Sequence, residues 1–149
     1  MTWIISGDAK VEHADHPFRH WVINGLWGRD RLLAVRSEIE RVDSAWDYFD
    51  NPNERKKAIT ETRQSMPETG SMLTHLHSPA MLEFLTTLTG ISGLIPRQEG
   101  GGAHRIEPGG FLGTHVDFNR ASDGLHRRLN CLVYLNPDWG TEEGGELEL

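Results

Sequence analysis

The segment from residue 128 to residue 135 constrains the fold of this chain most strongly, because its side chains alternate in character. Every second position is apolar, at Leu129, Cys131, Val133 and Leu135. The positions between them carry Arg128, Asn130, Leu132 and Tyr134. Successive side chains of a strand point to opposite faces. The pattern therefore predicts a strand with one apolar face against a core and one partly polar face, which is typical of a strand lining a ligand-filled barrel.

Composition and charge exclude several classes of protein. Cys131 is the single cysteine, so no disulfide framework or thiolate metal site is expected, and we interpret it as a small buried core residue. The net charge of −7 disfavours nucleic acid and anionic membranes as partners. No apolar stretch has the length of a membrane span. The N-terminus has neither the basic segment nor the long apolar segment of a signal peptide. We expect a cytoplasmic protein with no nucleic-acid or membrane partner, and its oligomeric state stays open.

The first ninety residues predict helices. An apolar stripe at Leu32, Val35, Ile39 and Val42 indicates a helix over residues 30–42, with charged residues, among them Glu38, on its solvated face. Residues 44–53 are interpreted as an aromatic-rich loop, and residues 54–63 as a polar helix. The clearest helix runs from the N-cap Ser78 to Gly90, which suits the left-handed position after a helix.

After residue 95 the sequence changes to short strands separated by glycine and proline. Strands are predicted over residues 103–107, 112–117, 128–136 and 146–149. The run Gly100-Gly101-Gly102 suggests a phosphate loop, but no helix follows to hold an anion at its N-terminus, so we reject that reading. Helices followed by strands predict an α+β fold that contains a sandwich or barrel.

A metal site is suggested by His115-Val116-Asp117. On a strand, His115 and Asp117 share one face, and together they supply two ligands of the 2-His-1-carboxylate triad that holds Fe(II) with positions left open. The motif alone is weak, because 8 His and 9 Asp in 149 residues give roughly half a match by chance. A second copy, His13-Ala14-Asp15, belongs to a His-rich stretch that we interpret as a surface loop leading into a strand at residues 21–23. Strand context favours the copy at residue 115.

The C-terminal part of the chain strongly resembles the prolyl 4-hydroxylase-like branch of the 2-oxoglutarate- and Fe(II)-dependent dioxygenases. The similarity is dense from about residue 88 to the end, and looser before it. The segments that carry it include Gly100–His104, Pro108–Leu112, His115–Asn119, Arg127–Trp139 and Gly144–Leu149.

The resemblance implies a fold, a metal site and a reaction. The fold would be a double-stranded β-helix (jelly-roll) supported by N-terminal helices. His115 and Asp117 would bind Fe(II), Tyr134 would contact the distal carboxylate of 2-oxoglutarate, and Asn130 would share that pocket. Oxidative decarboxylation of 2-oxoglutarate to succinate and CO2 would be coupled to hydroxylation by O2 of a protein, peptide or small-molecule substrate. Ascorbate dependence is common in this branch.

Two family residues have no match in the sequence. The second His ligand and the basic residue that pairs with 2-oxoglutarate are expected after Asp117, where the one His is His126, in a predicted loop. We therefore expect residues 1–149 to be a single, C-terminally truncated dioxygenase domain that is inactive alone. Residues 1–99 would be its mainly helical support, and residues 100–149 its first β-helix strands. The alternatives are a non-catalytic jelly-roll module for binding or assembly, and a hydrolase-like metal site at the same pair.

Overall fold

The computed structural model describes residues 3–60, 66–99 and 101–148. Within them the chain forms three α-helices and two antiparallel sheets. The strands are β1 (Lys10–Ala14), β2 (His20–Asn24), β3 (Asp47–Asn51), β4 (Glu54–Ile59), β5 (Ala103–Arg105) and β6 (Phe111–Leu112). The helices are α1 (Arg29–Arg41), α2 (Pro67–Leu76) and α3 (Pro79–Thr89). Residues 61–63 of the predicted polar helix, Gly100 and Leu149 lie outside the described residues.

The first sheet is the β1–β2 hairpin, which is only partly as predicted. The strand at residues 21–23 is confirmed. The surface loop predicted around His13 is wrong for His13 itself, which lies in β1 opposite Trp21 and stacks its ring on the indole with centroids 5.1 Å apart. Residues 15–19 do form an exposed loop that leads into β2. The neighbouring pair of Val11 and Ile23 lies on the same side, so the exposed hairpin has a small apolar face that cross-strand pairs stabilise.

The second sheet is built around β4, which pairs with β3 on one edge and with β5 and β6 on the other. The sequence predicted a loop over residues 44–53 and a helix over residues 54–63, and the structure contradicts both. The two segments are the strands of one hairpin, closed where the side chain of Asn51 accepts a hydrogen bond from the amide of Asn53 at 2.9 Å. Oppositely charged partners across the ladder, such as Asp50 and Arg55 at 3.1 Å, take the place of apolar alternation.

Two of the three helices follow their local signals. The predicted α1 and α3 are confirmed, and in α3 the Ser78 hydroxyl accepts a hydrogen bond from the Met81 amide while Gly90 has φ +72°. The sequence did not predict α2. The three helices share one apolar cluster, whose buried members are Trp3, Trp27, Val35, Met72 and Met81. None of the described helices is long and apolar enough to cross a bilayer.

The C-terminal region is less regular than predicted. Of its predicted strands, the described residues form only Ala103–Arg105 and Phe111–Leu112, and the segments 113–117, 128–136 and 146–148 have no ladder partner. A strand needs a neighbour to bond its backbone, and among the described residues none of these three segments pairs with another along a ladder. The described residues form no closed barrel, so the jelly-roll is not confirmed. The described part of residues 1–99 holds four strands beside its helices, and the division at residue 99 stays a prediction.

At residues 128–135, burial still alternates along most of the segment, although the segment does not pair with a neighbouring strand. Leu129, Val133 and Leu135 are partly buried, and the last two pack on the helical cluster, as the apolar face was predicted to do. The predicted burial of Cys131 is wrong, because Cys131 is exposed to solvent. Its place in the alternation predicted burial, but residue 131 is exposed while Leu129 and Val133 on either side of it are partly buried. Partial desolvation still raises the pKa of its thiol.

Candidate metal centre

The side chains of His115 and Asp117 meet, although their segment is not a strand. The imidazole Nε2 lies 3.5 Å from the carboxylate Oδ1, and Val116 between them is 96% exposed. Two atoms bound to one metal at about 2.1 Å and at right angles lie about 3 Å apart. The observed separation is therefore close to that of two neighbouring ligands of one ion.

The protonation of His115 is set by the backbone before it. The imidazole Nδ1 lies 2.8 Å from the carbonyl oxygen of Gly113. A carbonyl only accepts, so Nδ1 carries the proton and Nε2 keeps its lone pair in the neutral ring. Gly113 is itself held by its amide, which donates to the Asn53 carbonyl at 2.8 Å. A hydrogen bond to the distal ring nitrogen is the usual way in which proteins orient a metal-binding histidine.

Glycines let the chain reach this position from the sheet. A Cβ on Gly113 would come within 3.1 Å of the Asn53 carbonyl oxygen, and one on Gly110 within 2.7 Å of the Arg55 carbonyl oxygen. Side chains at these two positions would push β6 away from the β3–β4 hairpin. Their absence allows the backbone of β6 to lie against β4, which places His115 just beyond the end of the sheet.

The two oxygens of Asp117 have different surroundings. Oδ1 faces His115, whereas Oδ2 accepts a hydrogen bond from the Asn130 side-chain amide at 3.0 Å. The Arg127 guanidinium forms an ion pair with Oδ2 at 3.5 Å, and its carbon lies 4.4 Å from the centre of the Phe118 ring. The carboxylate is thus held through one oxygen and presents the other towards the imidazole.

A turn brings the two segments of the site together. Residues 120–126 reverse the chain, and the Arg127 amide donates to the Asn119 carbonyl at 3.0 Å. The turn is tied to the preceding loop by an ion pair between Arg97 and Asp123 at 2.6 Å. Hydrogen bonding from Arg97 also lowers the pKa of the Asp123 carboxyl. Segments 116–119 and 127–130 consequently line an open groove.

The structure brings together three of the four predicted site residues. His115, Asp117 and Asn130 are in contact, whereas Tyr134 is 63% exposed and no hydrogen bond joins it to them among the described residues. Sequence reasoning missed the role of Arg127. The residue was visible as one of two adjacent arginines, but its contact depends on the register of the turn, which the sequence does not reveal.

The donor set fits part of a metal site. The lone pair on the His115 Nε2 and the Asp117 Oδ1 suit Fe(II), which binds imidazole and carboxylate ligands. Within residues 3–60, 66–99 and 101–148, no group of three His, Cys, Asp or Glu side chains could hold a metal ion. His126 is exposed beside the turn, with its backbone paired to Arg120. It therefore does not complete the site in this structure.

The second copy of the His-x-Asp (H-x-D) motif, His13-Ala14-Asp15, has the same distance between its imidazole and its carboxylate. His13 Nε2 lies 3.5 Å from Asp15 Oδ1 on the exposed β1–β2 hairpin. The same Asp15 oxygen also lies 3.3 Å from the Arg19 Nε. Distance between the two side chains therefore does not distinguish one copy of the motif from the other.

Comparison with known proteins gives one match. Residues 101–149 match the sequence model of the 2OG-Fe(II) oxygenase superfamily. This C-terminal third of the chain contains all four predicted site residues. The match supports a relationship to that superfamily, with dioxygenase-type function, Fe(II), 2-oxoglutarate, O2 and a substrate implied in general terms. Neither the curated proteins nor the solved structures provide a match.

Proposed function

We propose that this chain carries part of the active site of an Fe(II)- and 2-oxoglutarate-dependent dioxygenase of the prolyl 4-hydroxylase-like branch, with His115 and Asp117 as iron ligands. The observation that carries the proposal is the approach of the lone-pair nitrogen of His115 to the Asp117 carboxylate within the matched segment. The pair supplies one imidazole and one carboxylate, the two ligand types of the Fe(II) facial triad, at a separation that suits neighbouring coordination positions on one ion.

Each residue has a separate task in this proposal. His115 binds through Nε2 and Asp117 through Oδ1, and Tyr134 contacts the cosubstrate, in keeping with the family resemblance. Fe(II) and 2-oxoglutarate, when bound, supply oxidative decarboxylation coupled to hydroxylation of a substrate C–H bond. The proposal assigns none of the described residues as the third ligand or as the basic residue that pairs with 2-oxoglutarate. A reducing, cytoplasmic setting and ascorbate as an accessory reductant complete the proposal.

Anaerobic titration of the 149-residue chain with Fe(II) tests the ligand pair. We expect weak binding by the wild type, because two protein ligands chelate less well than three. His115→Ala should weaken it by at least about tenfold, since changes to the supporting residues alone cost 10- to 100-fold. His126→Ala is the control and should bind as the wild type does. Equal affinities of the His115→Ala variant and the wild type would contradict the assignment.

Succinate release tests the two-ligand part of the proposal. The chain alone, supplied with Fe(II), 2-oxoglutarate and ascorbate, should release no succinate above a metal-free control. Among the described residues no third His, Cys, Asp or Glu side chain joins the ligand pair, and our proposal assigns no residue of this chain as the basic partner of 2-oxoglutarate. Iron-dependent release that is lost in His115→Ala would show that the site is complete in this chain, against our proposal.

A non-catalytic binding or assembly module is the second candidate. It is favoured by the exposed apolar side chains on the unpaired C-terminal segments, among them Leu132, Trp139 and Leu147, each more than half exposed. Contiguous exposed apolar surface commonly marks an interaction site. A chain of this kind would not need its H-x-D pair, so Fe(II) binding that does not change in His115→Ala would favour the module over the dioxygenase.

A further inference from the structure

We propose that Asn130 and Arg127 are positioning residues that keep Asp117 a one-oxygen ligand. The inference rests on the proposed metal site and assigns these two residues a task within it. It also changes the expectation for Asn130, from a contact with the cosubstrate to a contact with the carboxylate that holds the metal.

The hydrogen bond from Asn130 is the stronger of the two contacts. The Asp117 carboxylate only accepts, so the group that faces it at 3.0 Å is the side-chain NH2 of Asn130. Hydrogen bonds to a charged partner are about twice as strong as those between neutral groups. Arg127 approaches the same oxygen at 3.5 Å, a longer contact that adds charge.

The position of Arg127 is fixed independently of Asp117. Its guanidinium lies over the Phe118 ring at 4.4 Å, and its side chain is 21% exposed. Its backbone amide is bonded to Asn119 across the turn. A cation held by an aromatic face and by the register of the turn does not need the carboxylate to stay in place. It therefore acts as a fixed charge beside Oδ2.

Engaging Oδ2 limits how the carboxylate can bind a metal. Asp and Glu bind metals through one oxygen or both. Binding through both would make Oδ2 share its lone pairs between the metal and the Asn130 amide, and it would bring the metal cation towards the Arg127 guanidinium. Binding through Oδ1 alone keeps both contacts and occupies one coordination position. The arrangement thus reserves a position on the metal that a two-oxygen carboxylate would take, and it fixes the direction from which Oδ1 approaches.

Asn130→Leu tests this assignment in the full chain, because leucine has nearly the shape of asparagine and cannot donate. We expect anaerobic Fe(II) affinity to fall by about 10- to 100-fold. The control is Asn136→Leu, the same change at another exposed position of the segment. Without metal, Asn130→Leu and Asn136→Leu should have similar urea midpoints. Asn136→Leu should also bind Fe(II) as the wild type does. A purely structural role would lower the urea midpoint without a selective loss of metal affinity.

A second measurement does not need the metal. In the metal-free chain, the side-chain NH2 signal of Asn130 in a 1H–15N NMR spectrum should shift when Asp117 is changed to Ala. An unmoved signal, or wild-type Fe(II) affinity in Asn130→Leu, overturns the inference while the ligand pair still stands. If the wild-type chain binds no Fe(II), the proposed function fails, and this inference fails with it. Should Asn130→Leu not fold, the NMR measurement decides.

Discussion

The carboxylate of Glu38 on α1 caps the first turn of α2. Its oxygens accept hydrogen bonds from the amides of Glu68 and Thr69, at 3.0 and 2.8 Å, and from the Thr69 hydroxyl at 2.7 Å. A negative charge at a helix N-terminus is favoured by the unbonded amides and by the helix dipole. The side chain of one helix thus supplies the cap that the sequence before α2 lacks, since Met66 offers no acceptor side chain.

Glu38→Ala should lower the free energy of unfolding by about 3 kcal/mol. Loss of a cap costs about 1 kcal/mol, and an unsatisfied buried polar group about 1–3 kcal/mol. Thr69 is 1% exposed, so water does not easily replace the carboxylate at its hydroxyl. Glu38→Gln keeps an acceptor oxygen without the charge and should lose about half as much.

Urea unfolding, followed by far-ultraviolet circular dichroism, measures the effect. In a chain of this size, 3 kcal/mol corresponds to a fall in Tm of about 6–12 °C. Glu40→Ala is the matched control. Glu40 is an exposed acid two residues away that pairs with Arg36 at 2.7 Å, and its loss should cost no more than about 0.5 kcal/mol. If Glu38→Ala and Glu40→Ala are equally stable, the capping argument is refuted.

Two further predictions concern the sheet and the helical core. Gly102→Ala should destabilise the chain by about 2 kcal/mol in urea unfolding, because Gly102 has φ +152° and a Cβ there would overlap the Ile59 carbonyl oxygen. Gly7→Ala is the control, since Gly7 lies in open space and its variant should keep the wild-type midpoint. Equal midpoints for the two variants would count against the close approach at Gly102. Burial lowers the pKa of His75, and its Nε2 has no hydrogen-bond partner among the described residues. The unfolded chain therefore takes up a proton at this residue more readily than the folded chain does. The stability that neutral His75 contributes is complete above pH ~6.5 and is lost as the pH falls through its folded pKa. His75→Phe should therefore lose less stability than the wild type between pH 7.5 and 5.5, and equal losses would refute a role for this group.

The sequence predicted those elements whose signals are local. The α3 helix has its N-cap, its proline and its terminal glycine within thirteen residues, and α1 has a complete apolar stripe. By contrast, β3 and β4 owe their pairing to cross-strand contacts, and their own residues are mostly charged or polar. A segment such as Glu54–Ile59 has no apolar alternation, so only its partner strand identifies it as a strand.

The same distinction applies to the candidate site. The pairing of His115 with Asp117 could be predicted because the two residues lie only two positions apart in the sequence. The contact from Asn130 spans thirteen residues and depends on the turn between the segments. The role of Glu38 was missed for a similar reason: a periodic pattern assigns it to a solvated helix face, but not to the end of the next helix in space.

The two H-x-D copies show what spacing alone can specify. In both, a ring nitrogen lies 3.5 Å from a carboxylate oxygen, so the motif is enough to bring its own two side chains together. The surroundings differ. At Asp15 the oxygen nearest the ring is the one that Arg19 also contacts, so a metal would have to compete with a cation for it. At Asp117 the donors hold the opposite oxygen and leave the one that faces His115 to a ligand. The arrangement of second contacts, rather than the motif, therefore favours the copy at residue 115, and His13→Ala should leave Fe(II) affinity unchanged where His115→Ala lowers it.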